Sequence, residues 1–416
     1  MIEIVSIGAE LLTGQTINTN ASVIAKALLK EGYGVKQVTT VPDKHDELKA
    51  AVLEAMERTP VVITTGGLGP TGDDITRHTL AEVFGSELSL NPSVAADLEK
   101  RYGNQLETLE DQATVIEGAE VIYNTIGTAP GFILTKEGKT VIVLPGVPVQ
   151  MQEMLEKKVI PYLTKRMPRE HFQHALFLFL MSEQHVDPYL RSLEKQHPNV
   201  EFGICPSYGT LSIYLQAQAQ SQEEAEKIFA PVLQALRQKF KERIFSEQYH
   251  DIEYAVHEQF ISRKLTLACA ESCTGGRIAS RLTQISGSSD YFLGSLVTYS
   301  NEMKTAVLNV QPKTLQEHGA VSSETVVEMV HGTLALTAAD YAVAVSGVAG
   351  PTGGTKDKPV GTVWGAIGQK DGEIFAAQLP MKGKQKRLTA IDYSTTYILA
   401  HLWRYIQFNL PPFEER

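Results

Sequence analysis

Ser272 and Cys273 stand in the stretch ACAESCTGGRIASRL, residues 268–282, where an apolar strand-like run, Leu265 to Cys269, breaks and a helical pattern follows at once. A strand-to-helix turn sets a hydroxyl and a thiol beside backbone N–H groups open to an anion or a developing oxyanion. Thr274, Gly275 and Gly276 would line that seat, and Gly347 and Gly350 of VSGVAGPTGG would add a second glycine-rich cradle. Tyr299 and Lys304, in VTYSNEMK later in the same domain, could activate the nucleophile, the lysine as base and the tyrosine as relay. The chemistry these residues point to is hydrolysis of a phosphorylated substrate by an activated nucleophile.

Each assignment has a plainer counterpart. Ser272 also fits a helix cap, Tyr299 a half-buried strand aromatic, and Lys304 a solvated surface charge. A lysine base must lose its proton near pH 7, at a cost of roughly 4.6 kcal/mol from its reference value, unless burial or a neighbouring cation lowers it. Cys273 is the rival nucleophile, but no histidine lies near it in sequence, and buried structural cysteines are commoner. Cys269 and Cys273 have no further Cys or His nearby, so a zinc site is not expected.

GGLGPTGDD, residues 66–74, is the strongest signal in the first half. Gly66, Gly67 and Gly69 permit close approach to a ligand, and with Thr71 and Asp73 they could form an anion nest. Asp74 and Asp73 would either cap the next helix or hold a divalent cation, with Glu10 as a further carboxylate. The loop matches neither a Walker loop nor a GxGxxG dinucleotide fingerprint.

These loops need a scaffold. Residues 1–167 alternate strand and helix patterns, which predicts a parallel three-layer α/β sheet with Ile2–Ile7, Val35–Val41 and Val61–Thr65 as strands. Asn20 reads as a cap for a helix facing inward through Ala21, Ile24, Ala25 and Leu28. Residues 168–248 read as a small α+β module with an amphipathic helix over 223–240, and His171 and His174 as surface residues. The α/β pattern resumes over 249–416 and closes on a helix bearing Ile391, Ile398, Leu402 and Trp403.

The 416-residue chain carries a net charge of −10, which argues against a broad nucleic-acid surface. Its apolar runs are too short to span a bilayer. The opening MIEIVSIGAE shows no basic leader, and three cysteines imply no disulfide framework, so a reducing cytoplasm is the expected setting.

Taken together, SIGAELLTGQTINTN, TTGGLGPTGDDITR, GTAPGF, LPGVP, AESCTGG, TYSNEMK, GAVSSET and VSGVAGPTGG with KPVGTV resemble the CinA (competence/damage-inducible) family almost end to end. The resemblance implies an α/β protein with a molybdopterin-binding-like (MoaB/MogA-like) first domain, a KH-type middle module and a nicotinamide-nucleotide amidase domain. It further implies that Ser272 is the nucleophile, activated by Tyr299 and Lys304, in converting nicotinamide mononucleotide to nicotinate mononucleotide and ammonia. For the first domain it implies ADP-ribose pyrophosphatase chemistry dependent on a divalent metal such as Mg at Asp74 and Glu10; the amidase domain would need no cofactor. A homodimer is expected, with small nucleotides as ligands and neither membrane nor nucleic acid as partner.

The chain departs from the family pattern at Gln150, where a Glu is usual, at Met181–His185 in place of a glycine-rich turn, at Ser346 in place of Thr, and at Ile391, where a second arginine often follows Arg387. The loss of a carboxylate at Gln150 predicts a weak first-domain activity. The alternative function is a non-catalytic nucleotide- or pterin-binding adaptor linked to competence. An intact Ser272, Tyr299 and Lys304 favours the enzyme.

Overall fold

The computed structural model describes residues 1–414 apart from 104–107, 382, 384 and 385. Two compact units emerge, residues 1–173 with 216–228 and residues 174–215 with 229–416. Both are α/β.

The first unit is built on a six-stranded sheet, ordered Val35–Val41, Ile2–Ile7, Val61–Thr65, Lys139–Leu144, Gly131–Lys136 and Glu120–Ile122. Its first four strands are parallel, as expected. The last two pairings are antiparallel, which corrects the all-parallel reading. The cause is local. Glu137 and Gly138 both adopt positive φ, at 52° and 78°, the two-residue turn whose twist suits a hairpin. Val5, Val62, Val141 and Val143 feed one apolar layer, while Ile4, Ile63 and Ile142 feed another with Met151 and Met154. Period-two alternation thus buries both faces under helices.

Asn18, not Asn20, caps the helix Thr19–Lys30, accepting from the Ala21 amide. Asn20 is the second residue of the helix and is buried, donating to Thr65 Oγ1 at 3.0 Å and to the Gly146 carbonyl at 2.8 Å. It ties the ends of two neighbouring strands together.

The second unit has a five-stranded sheet, ordered Phe292–Val297, Leu267–Glu271, Tyr341–Gly347, Val363–Gln369 and Ile374–Gln378. The first three strands are parallel and the remaining pairings antiparallel. Small residues, Ala270, Ala342, Ala344 and Ala366, line one face and pack with Leu308 and Val330. Cys269, Val343 and Val345 line the other, with Val256, Phe260, Ile398 and Leu402. A separate four-stranded sheet includes Glu201–Pro206 and Ile244–Ser246, two short strands that the sequence pattern did not disclose. His174 is no free surface residue, because its Nε2 lies 2.7 Å from Glu247, which also pairs with Arg237. No helix among the described residues is long and apolar enough to cross a membrane.

An ion pair between the half-buried Arg281 and the buried Glu253 fastens the second unit. Arg281 reaches Glu253 at 2.6 and 3.1 Å and donates to Thr396 Oγ1 at 2.8 Å. Removing one partner of such a pair strands the other charge, so Arg281→Ala is expected to destabilise the unit by about 3–5 kcal/mol. A shift in the denaturant midpoint measures it; a midpoint equal to that of the parent protein would show the pair to be dispensable.

Candidate active site

Parallel register brings the chemistry together. Glu271 pairs with Val297 at the ends of adjacent strands, so the turn at Ser272 lies beside Thr298 and Tyr299. Ser300 then caps the helix Asn301–Leu308 by accepting from the Met303 amide at 3.2 Å. The first turn of this helix points Lys304 inward, and Leu308 follows one turn later on the buried side.

Lys304 is 1% exposed, so it is not the solvated charge of the plainer reading. Its Nζ lies 3.0 Å from Ser272 Oγ, 2.8 Å from the Thr298 carbonyl and 3.4 Å from the Tyr299 carbonyl. Burial lowers its pKa from the usual lysine value. A neutral amine has two N–H groups and one lone pair. With both carbonyls taking the N–H groups, the lone pair is left for the serine proton.

Ser272 does not cap a helix. The next helix, Arg277–Thr283, is entered through Gly276 at φ 94°. The expected open seat of backbone amides is also largely filled. Glu271, fully buried, accepts from the amides of Gly276, Ile278 and Ala279 at 3.0, 3.1 and 3.0 Å. Gly275 N–H turns back to the Ser272 carbonyl. The amides of Cys273 and Thr274 make no hydrogen bond to another residue among the described residues, and the buried Thr274 hydroxyl likewise lacks a partner. These are the donors left for an oxyanion.

Tyr299 is exposed, and its hydroxyl accepts from Arg387 at 3.0 Å instead of meeting Ser272 or Lys304. Arg387 also donates to the Gly350 carbonyl at 3.0 Å. Tyr299 therefore contributes its carbonyl to Lys304 and its ring to the rim. Gly350 has φ 81°, and at Gly347 a Cβ would stand 2.9 Å from Val363 Cα, so both glycines are required by the backbone. Sequence reasoning missed Glu271 and assigned no role to Arg387; an acid directly before the serine at the strand's end was the available signal for the first.

Cys273 is buried, and desolvation pushes its thiol up to about 12, which removes the thiolate at neutral pH. Cys273→Ala is accordingly expected to cost no more than about threefold in turnover, whereas the loss of a nucleophile costs orders of magnitude. A loss of activity as complete as that of a Ser272 variant would make the cysteine the nucleophile.

In the first unit the glycine loop follows the strand Val61–Thr65. Gly66 has φ 117°, and a Cβ there would stand 2.2 Å from the Ile7 carbonyl oxygen. A Cβ at Gly67 or Gly69 would likewise crowd the Thr76 or Asp74 side chain. Asp74 caps no helix. Its Oδ2 accepts from the Thr71 amide at 3.0 Å and the Thr71 hydroxyl at 2.6 Å, closing the loop on itself. Asp73 is exposed, and hydrogen bonding from Thr71 lowers its pKa. Glu10 folds back over Gly8. Among the described residues no three His, Cys, Asp or Glu side chains converge on a metal position. Gln150, on the helix Pro148–Met154, accepts from Asn124 at 2.9 Å.

Residues 249–406 match the family model described as CinA C-terminal domain, and residues 3–165 match the one described as "Probable molybdopterin binding domain". The chain is 37% identical over 407 residues to an Acetivibrio thermocellus protein whose name refers to competence-damage induction, covering 95% of this chain and 98% of that one. It is 39% identical over 377 residues to a CinA-like protein of Geotalea uraniireducens, covering 89% and 90%. Among solved structures it is similar to a CinA protein of Thermoplasma acidophilum, 36% identical with a TM-score of 0.36, covering 39% of this chain and 95% of that one. With relatives aligned from end to end and both halves matched in order, the chain belongs to the CinA family.

Proposed function

We propose that the second unit is a nicotinamide-nucleotide amidase working through a Ser272–Lys304 pair. The observation that carries this reading is the buried lysine 3.0 Å from a serine hydroxyl, with two carbonyls holding its other positions. Lys304 takes the Ser272 proton as Oγ attacks the carboxamide carbon of nicotinamide mononucleotide. The amides of Cys273 and Thr274 receive the oxyanion. Lys304 returns the proton to the leaving nitrogen, ammonia departs, and an ester remains on Ser272. Water, deprotonated by the same lysine, cleaves the ester to nicotinate mononucleotide and restores the serine. Arg387, at the rim between Tyr299 and Gly350, supplies a cation for the nucleotide phosphate.

An adaptor that only binds would gain nothing from burying a lysine against a serine. The test is chromatography of nicotinamide mononucleotide incubated with the purified chain. Nicotinate mononucleotide and ammonia in equal amounts support the reading, and unchanged substrate overturns it.

A further inference from the structure

Glu271, the residue before Ser272, ends the strand Leu267–Glu271 with its side chain fully buried. A buried acid is costly unless every lone pair is matched. Here four donors converge on it: the amides of Gly276, Ile278 and Ala279, and the Ser295 hydroxyl at 2.8 Å. Its own carbonyl accepts from the Thr298 amide at 2.9 Å, and the Thr298 carbonyl in turn accepts from Lys304. Main chain and side chain of one residue thus hold both the turn that carries the nucleophile and the strand end that holds the base.

We infer that Glu271 is a positioning residue for acyl transfer: its carboxylate folds the Cys273–Gly276 turn into an oxyanion site and denies the amides of the following helix to the substrate's phosphate. The inference rests on the amidase reading of Ser272. An internal acid occupying the start of the helix repels a second anion. It also leaves the amides of Cys273 and Thr274 as the turn's donors without a partner in another residue among the described residues. A glycine-rich turn after a strand therefore serves here to hold the acyl carbon, and the phosphate is held elsewhere.

Glu271→Gln tests this, because the carboxamide keeps the volume but turns one acceptor into a donor facing backbone N–H groups. The expected result is a kcat lower by about 10²-fold, the scale of a lost oxyanion contact, with KM for nicotinamide mononucleotide within about threefold. A boronic acid in place of the carboxamide, which mimics the tetrahedral adduct, should lose affinity in parallel, while nicotinate mononucleotide binds as before. Glu271→Asp, too short to span the turn, should not restore kcat. An unchanged kcat, or a raised KM with kcat intact, overturns the inference. If the Gln variant does not fold, Ser295→Ala, which removes a single donor, carries the test: kcat is expected to fall about threefold to tenfold with KM steady, and an unchanged kcat overturns it. Absence of turnover by the parent protein would instead overturn the amidase reading itself.

Discussion

Ser272→Ala protein is expected to bind nicotinamide mononucleotide with little change and to release ammonia more slowly by on the order of 10⁴- to 10⁶-fold, the range seen when a nucleophile is deleted from a site that works as a unit. The hydroxyl lies against Lys304 at the head of the turn, and its replacement by hydrogen leaves the backbone untouched. The Ser272 amide, bonded to the Val345 carbonyl at 2.9 Å, still anchors the turn to the sheet. Binding should survive because Arg387 and the loop at Gly350 lie on other elements. Calorimetric titration and an ammonia assay on the same sample separate the two effects. Near-parental turnover would remove Ser272 from the chemistry.

Lys304→Met is expected to lower turnover by about 10²- to 10⁴-fold, the usual worth of a positioned acid–base group. Lys304→Arg should not restore it, since a guanidinium does not release its proton in this range. Burial lowers the lysine pKa from 10.5, and only the neutral amine can take the serine proton, so kcat/KM should rise with pH up to a plateau beginning below that value. The same shift bears on stability. Between the lowered value and 10.5 the unfolded chain holds a proton that the folded chain has released, so stability rises with pH across that window, and Met should flatten the slope. Recovery of activity in the Arg variant would make Lys304 a charge that binds phosphate.

Much of this was legible in the sequence because it is local. Alternating apolar residues at Ile4, Val5, Ile63 and Val141 foretell a sheet covered on both faces, and Ser272, Tyr299 and Lys304 stand in the short motifs AESCTGG and TYSNEMK. What was hidden depends on partners far along the chain. Tyr299 meets Arg387 across 88 positions, so no spacing rule could show that its hydroxyl leaves Lys304 alone. The amides after Ser272 read as an anion seat because nothing in sequence tells whether the preceding glutamate turns inward or outward. Asp74 reads as a cap or a ligand until the loop closes it on Thr71. The antiparallel edge of the first sheet was missed because Glu137-Gly138 lacks the Asn-Gly or Asp-Gly pair that usually announces such a turn.

The central claim is that a covalent bond forms at Ser272. Protein quenched in acid during turnover of nicotinamide mononucleotide, then digested and weighed by mass spectrometry, tests it most directly. The predicted result is a base-labile ester of nicotinate mononucleotide on the serine of the peptide that carries Glu271 to Gly276, present in the Cys273→Ala protein and absent from Ser272→Ala. An adduct on Cys273, or ammonia released at the parental rate by Ser272→Ala, would contradict it.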